Sequence, residues 1–171
     1  MRRERDGVVV DQAAYRDAMA RLGAAVSVIT TDGPAGRSGF TASAVCSITD
    51  DPPTLLVCMN RSSSLNEAFK ANRVLCVNTL SARQEALSPL FAGQVDASMK
   101  ERFDVAAWSA LATGSPVLAN AVVSFDCRIT QVTEVGTHSV FFCEVEAIQA
   151  RAEQEALIYF SRSYHRVVAT A

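Results

Sequence analysis

The sequence is poor in the residues on which metal and covalent chemistry rest. It holds only two histidines, His138 and His165, in 171 residues, too few for a histidine-rich metal site. Its five cysteines, Cys46, Cys58, Cys76, Cys127 and Cys143, never form a C-x-x-C pair. Each has apolar neighbours, which predicts reduced, buried thiols acting as small hydrophobes in a cytoplasmic protein. No G-x-G-x-x-G follows a strand and no G-x-x-x-x-G-K-[ST] occurs, so any nucleotide would be held without a Rossmann or P-loop cradle. No G-x-S-x-G elbow supports a serine hydrolase. No apolar run approaches the roughly 20 residues of a membrane helix; Leu55–Met59 is about the longest. The opening MRRERDG lacks the apolar stretch of a signal peptide. With 16 basic against 18 acidic residues, a net charge of −2 argues against a broad nucleic-acid surface.

What remains is an ordinary globular chain, 49% apolar and 20% charged, with no repeat, linker or low-complexity tract. It reads as a single domain over 1–171, with 1–10 a flexible N-terminal extension. Asp11 is a candidate N-cap for a helix carrying Tyr15, Ala18, Met19 and Leu22 at helical spacing, stopped by Gly23. Val, Ile and Thr from Ala25 to Thr31, the turn DGPAG (32–36) and Arg37–Ser43 predict a hairpin. After the Asp50–Pro53 break, the apolar run Thr54–Met59 predicts a central strand buried on both faces. Ser64-x-x-Glu67 and Ser81-x-x-Gln84 are capping-box patterns for two short helices, with Val74–Val77 a strand between them. Residues 92–116 look irregular, anchored by Phe103 and Trp108. Alternation from Val123 to Thr130, a phase slip at Gln131–Val132, a turn at Gly136 and renewed alternation from Phe141 predict a long bulged hairpin, with a last strand near Ala156–Phe160. Six or seven strands joined by short turns, with peripheral helices, fit a mainly β, antiparallel barrel.

Four stretches invite a ligand, and each also has a plain structural reading. Ser38–Ala44 clusters small and hydroxylated residues, which would admit a flat ligand to the backbone or pack a tight barrel strand. Asn60–Ser64 lies between a strand and a helix start, where N–H groups, serine hydroxyls and Arg61 suit an anion, or where the serines merely cap. Lys100, Arg102 and Phe103 would close over an anion, or form a solvated loop with one core anchor. His138 at a turn and Tyr164-His165 near the C-terminus suit ligand contact or local hydrogen bonding.

Taken together, AAVSVITTDGPAGRSGFTASAVCSITDDPPTLLVCMNR (24–61), LCVNTLSARQEALSPLFAG (75–93), VSFDCRITQVTEVGTH (123–138) and YFSRSYHRV (159–167) resemble the short-chain flavin reductase family, the reductase components of two-component flavin monooxygenases. The resemblance covers roughly residues 12–168. It is nearest to the branch serving bacterial pyrimidine utilisation and next to the branch serving 4-hydroxyphenylacetate hydroxylation. It implies an FMN-binding split β-barrel, antiparallel and Greek-key-like, that forms a homodimer. It also implies NADH-dependent reduction of FMN, with FAD a possible alternative, for release to a partner monooxygenase. By matching motifs, Thr41, Ala42, Ser43 and Ala44 would line the flavin ring and ribityl chain, and Ser47 would sit near the ring's polar edge. Asn60, Ser62 and Ser64 would serve the phosphate end, joined by Phe91, Lys100, Arg102 and Phe103. His138, the one catalytic candidate, would meet NADH together with Tyr164 and His165.

Overall fold

The first helix begins where Asp11 Oδ1 accepts a hydrogen bond from Ala14 N at 2.7 Å, the N-cap read from the sequence. In the computed structural model, which describes residues 10–152 and 155–169, that helix is α1 (Gln12–Met19). There follow β1 (Ala24–Ala25), β2 (Ser27–Thr31), β3 (Ser38–Ala42), β4 (Val45–Asp50), β5 (Pro53–Asn60), α2 (Asn66–Asn72) and β6 (Val74–Thr79). A 3₁₀ turn at Ala82–Gln84 leads to α3 (Leu87–Phe91), α4 (Met99–Asp104), β7 (Trp108–Ala110) and β8 (Pro116–Leu118). Then come β9 (Val123–Val135), β10 (His138–Ala150), β11 (Glu155–Phe160) and β12 (Ser163–Val168). The expectation for residues 1–10 lies, but for Val10, outside the described residues.

Seven strands form one antiparallel sheet in the order β3-β2-β6-β9-β10-β5-β4. Its two edge strands, β3 and β4, are successive in the chain and joined only by Ser43 and Ala44. The sheet must therefore curl until its edges meet at that joint, which makes a mainly β, antiparallel barrel split along one seam. A small sheet, β1-β11-β12, docks on it through Val26 N–Leu157 O and Leu157 N–Leu80 O bonds of 3.0 and 3.1 Å.

Two apolar clusters follow. Ile29, Leu55, Val57, Phe69, Val77, Ile129 and Phe141 fill the barrel. Val26, Val28, Leu80, Phe91, Phe103, Leu118 and Leu157 pack outside it, beneath α3 and α4. Strand β2 supplies both, Ile29 inward and Val28 outward, so it and most of β6 are buried on both faces. The apolar run in β5 is not the doubly buried strand its composition predicts. It alternates, with Leu55, Val57 and Met59 buried and Leu56 and Cys58 only half-buried. The reason is position: β5 is next to the edge, and among the described residues neither apolar cluster extends over its outer side.

The doubly buried strands carry polar groups instead, each with a partner. Asn78, wholly buried, donates to Val28 O and Thr30 Oγ1 at 3.1 Å. Its Oδ1 accepts from Leu118 N at 2.8 Å and Ser124 Oγ at 2.9 Å. One amide thus ties β2, β6, β8 and β9 together.

Further differences are local. Ser64-x-x-Glu67 forms no capping box: α2 starts at Asn66, whose side chain is buried for other work, and Leu65 at its start makes no side-chain cap bond. The Ser81–Gln84 box does form. So does an unread one, Ser98–Glu101, which opens α4 inside the stretch expected to be irregular. The bulge falls at Thr130, one residue before the expected slip. Strands β4 and β12 were not foreseen.

Replacing Asn78 by Leu strands the Leu118 N–H and the Ser124 hydroxyl without their partner, while Thr30 keeps its bond to Pro116 O. The expected loss is about 3 kcal/mol of unfolding free energy, read from urea denaturation. A loss below about 1 kcal/mol would show that these groups find other partners.

Candidate functional site at the seam

An edge strand presents a row of backbone N–H and C=O groups with no strand neighbour. At the seam β3 and β4 both do so, and small residues (Ala42, Ser43, Ala44) keep side chains out of the way. The result is a cavity of about 630 Å³, bounded by Phe40–Ala44, Cys58–Asn60, Ser63–Leu65, Phe91–Gly93, Met99, Arg102 and His138. That size lies in the range of small-molecule sites.

Its apolar end is built by α3. Thr41 Oγ1 donates to Ser88 O at 2.7 Å. Phe91 is held edge-on by Phe103 and Trp108, with centroids 5.3 and 5.8 Å away. Gly39 allows this approach: a Cβ there would stand 2.9 Å from the Phe91 ring.

The opposite end is polar. Asn60 Oδ1 accepts from both Ser62 N and Ser62 Oγ at 2.9 Å, so the Ser62 hydroxyl is spent on the turn, while Ser63 and Ser64 line the cavity. His138 pairs with Asn60 across β10 and β5, which sets its ring at the cavity rim. Its Nδ1 lies 2.9 Å from Thr137 Oγ1. Gly136, at φ 57°, makes the turn before it. Arg61 turns from the cavity to Glu134, Nε to Oε2 3.0 Å. Glu134 also takes Lys70 at 2.9 Å. The Lys70 hydrogen bond chiefly holds the Glu134 carboxyl below its usual range, with burial opposing and Ser139 and Arg61 assisting. Arg102, placed by α4 and donating Nε to Ala97 O at 3.1 Å, therefore brings the permanent positive charge to the cavity wall.

A second cavity of about 230 Å³ adjoins the first. The two share Thr41–Ser43 and Ala92, and Val26, Ser88, Gln94, Tyr159 and Tyr164 complete the second. The Tyr164 hydroxyl lies 2.9 Å from Ser88 Oγ.

The structure thus brings together Thr41, Ala42, Ser43, Ala44, Asn60, Ser64, Phe91, Arg102, His138 and Tyr164 from the sequence-predicted set. It leaves the others outside. Ser47 lines a separate groove with Phe125 and Ile148, because the β4 bulge follows it. Ser62 serves the turn. Lys100 faces Asp104 at 2.5 Å on the exposed side of α4. Phe103 is core. His165 sits near Phe160 O, Nε2 3.1 Å away, on the exposed face of β12. Phe40 and Ser63 were read only as members of the Ser38–Ala44 and Asn60–Ser64 stretches, and Cys58, Met59, Leu65 and Met99 were missed; for Met99 the Ser98–Glu101 box was the available signal. The cysteines divide: Cys76, Cys127 and Cys143 are buried, but Cys46 is exposed and Cys58 half-buried. Burial pushes the Cys143 thiol up to about 12.

With this geometry established, comparison with known proteins defines the class. Residues 19–168 match the flavin reductase like domain, and the chain belongs to that family. It is 61% identical over 156 residues to the FMN reductase (NADH) RutF of Pantoea ananatis, covering 91% of this chain and 81% of that one. Among solved structures it is similar to a protein of Haemophilus somnus 129PT assigned as a flavin reductase, at 49% identity and TM-score 0.88 over 92% of this chain and all of that one. It is also similar to a nitrilotriacetate monooxygenase component B homologue from Mycobacterium thermoresistibile, at 25% identity and TM-score 0.83, covering 91% of this chain and 86% of that one.

Gly39→Ala forces the Phe91 ring, fixed by two aromatic neighbours, to move. The expected cost is about 1–3 kcal/mol with a distorted apolar cavity wall, visible as a lowered Tm and an altered Trp108 emission. An unchanged Tm would mean the ring is free to yield.

Proposed function

We propose that this protein is an NADH-dependent FMN reductase that passes reduced flavin to a separate monooxygenase, in pyrimidine catabolism. One observation carries the reading: the seam cavity is walled by Phe91 and Ala42 at one end and by the hydroxyl-bearing Ser63 and Ser64 at the other, and shares the Thr41–Ser43 wall with an adjoining cavity. That donor set fits a tricyclic ring with a ribityl phosphate. The RutF relative supports the substrates, the monooxygenase component supports the two-component arrangement, and the pathway rests on the sequence resemblance alone.

When a dihydronicotinamide and a flavin lie face to face, the hydride transfer between them is the cofactors' own chemistry. The protein's work is to orient them and stabilise charge. Thr41, Ala42, Ser43 and Ala44 hold the ring against the β3 edge, whose free N–H groups meet its heteroatoms. Asn60, Ser63, Ser64 and Arg102 hold the phosphate. His138, at the rim, donates a hydrogen bond to the nicotinamide carboxamide, and Tyr164 lines the space beside it. With no catalytic acid required, His138 is a binding donor rather than a proton shuttle. Among the described residues no helix is long and apolar enough to cross a membrane.

Steady-state NADH oxidation with FMN, FAD and riboflavin tests the reading. FMN is expected to have the lowest KM, and His138→Asn to raise the NADH KM about tenfold, the effect of one lost hydrogen bond. No NADH oxidation with any flavin, or equal KM values for His138→Asn and wild type, would refute the respective parts.

We further propose one domain and a homodimer. Cys46, Leu56, Cys58, Val140 and Phe142 share the outer face of β4, β5 and β10 in direct or diagonal register. The three large apolar side chains among them are only half-buried, and a second copy would cover them. Sedimentation is expected to give twice the chain mass for wild type and the chain mass for Phe142→Glu. A monomeric wild type would rule the pairing out.

A further inference from the structure

The cavity's polar end is a loop, and a loop holds a ligand only as firmly as it is itself held. Four backbone and side-chain bonds fix Asn60–Ser64 from within or from the neighbouring turn: Ser62 N and Oγ to Asn60 Oδ1, Ser63 N to Asn60 O at 3.1 Å, and Arg61 N to Thr137 O at 2.9 Å. What fixes it to the barrel lies behind it. Asn66, buried at the start of α2, points Nδ2 at Asn60 O, 3.4 Å away, and at Ser139 Oγ, 3.1 Å away. Ser139, wholly buried on β10, lies 3.0 Å from both oxygens of Glu134 and 3.2 Å from Asn66 Oδ1.

A hydroxyl has one proton to give. Glu134, an acceptor only and charged, takes it, so Ser139 turns its lone pairs to the Asn66 amide. The amide is then oriented toward the Asn60 carbonyl. The same carboxylate holds Arg61, the residue after Asn60, and Lys70 on α2. Lys70 in turn meets Glu67 at 3.1 Å. One carboxylate therefore sets the start of the loop by two routes, a hydrogen-bond relay through Ser139 and Asn66 to Asn60 O and an ion pair to Arg61.

We infer that Glu134, which does not border the cavity, is the positioning residue that locks the Asn60–Ser64 loop in the shape that receives the anionic end of a flavin phosphate. The inference rests on the functional reading above for the identity of the ligand, but not for the mechanics of the loop. Replacing Glu134 by Gln keeps its size, removes the charge that holds Arg61 and Lys70, and offers Ser139 an N–H donor. Ser139 then turns its proton to Asn66 Oδ1, and the amide N–H loses the shorter of its two bonds, keeping only the 3.4 Å contact to Asn60 O.

The experiment compares wild type, Glu134→Gln, Ser139→Ala and the double variant by FMN and riboflavin fluorescence titration, saturating turnover and backbone amide exchange. For Glu134→Gln, FMN binding is expected to weaken about tenfold, as for one lost charge-assisted hydrogen bond. Riboflavin, lacking the phosphate, should change by less than about twofold, and so should kcat at saturating FMN. Exchange at Ser62–Leu65 should quicken while β6 amides keep their protection. The double variant should bind FMN no more weakly than the weaker single one, because both act through one relay. FMN affinity and loop exchange equal to wild type would overturn the inference. So would quickened exchange throughout β6, which would mark Glu134 as a general stabiliser. If neither protein binds FMN yet the loop alone loosens in Glu134→Gln, the flavin reading fails and Glu134 stands as the loop's anchor.

Discussion

The constraint on which the rest depends is the joint between β3 and β4. A seven-stranded sheet whose first and last strands are separated by two residues, Ser43 and Ala44, has no flat solution. It must curl until those strands meet, yet β3 and β4 do not pair with each other, so the barrel stays open along one seam. An open edge is ordinarily a liability, a template for unwanted pairing. Here it is shielded by curvature and opens into a cavity lined by small residues. The site is thus the consequence of incomplete closure, with its backbone donors supplied by the fold.

Closure in turn depends on the strands beside the seam being rigid. There β2 and β6 are covered on both faces, by the barrel interior and by the layer of α3, α4 and β8. A doubly covered strand could be wholly apolar, yet this chain places Thr30, Thr31, Asn78 and Ser124 there. Their bonds are satisfied across strands, Thr31 Oγ1 to Val74 O at 2.7 Å among them. Polar groups with one satisfying geometry restrict the packing to one register, whereas apolar side chains tolerate slippage. That rigidity is carried to the cavity by close contacts: Gly39 against Phe91, and Thr41 against Ser88.

Much of this was legible in the residues. The 25–43 hairpin, the Ser81–Gln84 box and the alternation from Val123 onward each carry a local signal, and the structure keeps them. The failures are those of a single chain read without its neighbours. Thr54–Met59 looks doubly buried because apolar composition records what a residue tolerates, not where its strand sits; only the sheet order shows β5 next to the edge. SVITT (27–31) looks half-polar, yet its hydroxyls are buried with partners 43 to 86 residues away. At the site, the 41–44 and 60–64 segments were found because each is continuous in sequence. Met99 was not, because it reaches the cavity from α4, whose placement against β3 and β5 is tertiary. Lys100 and Arg102 show the limit clearly. They are two residues apart with the same charge, but α4 sends one to solvent and the other to the cavity wall.

The electrostatics of the polar end bear on the proposed traffic of flavin. Two cations lie close behind the loop, Arg61 and Lys70, and neither borders the cavity. Both are held by Glu134, so the loop offers hydroxyls and N–H groups, and among the described residues lining the cavity Arg102 brings the full charge to the wall. Neutral donors give roughly half the strength of charge-assisted ones. A flavin that had to stay through many turnovers would call for the stronger grip. A flavin reduced in order to leave calls for geometry more than charge: a loop held firmly enough to present its donors together, and weakly enough charged to let the anion go. Glu134 meets the first demand, since its carboxylate orders the loop through Ser139, Asn66 and Arg61; the second is met by the loop's own neutral hydroxyl and N–H donors.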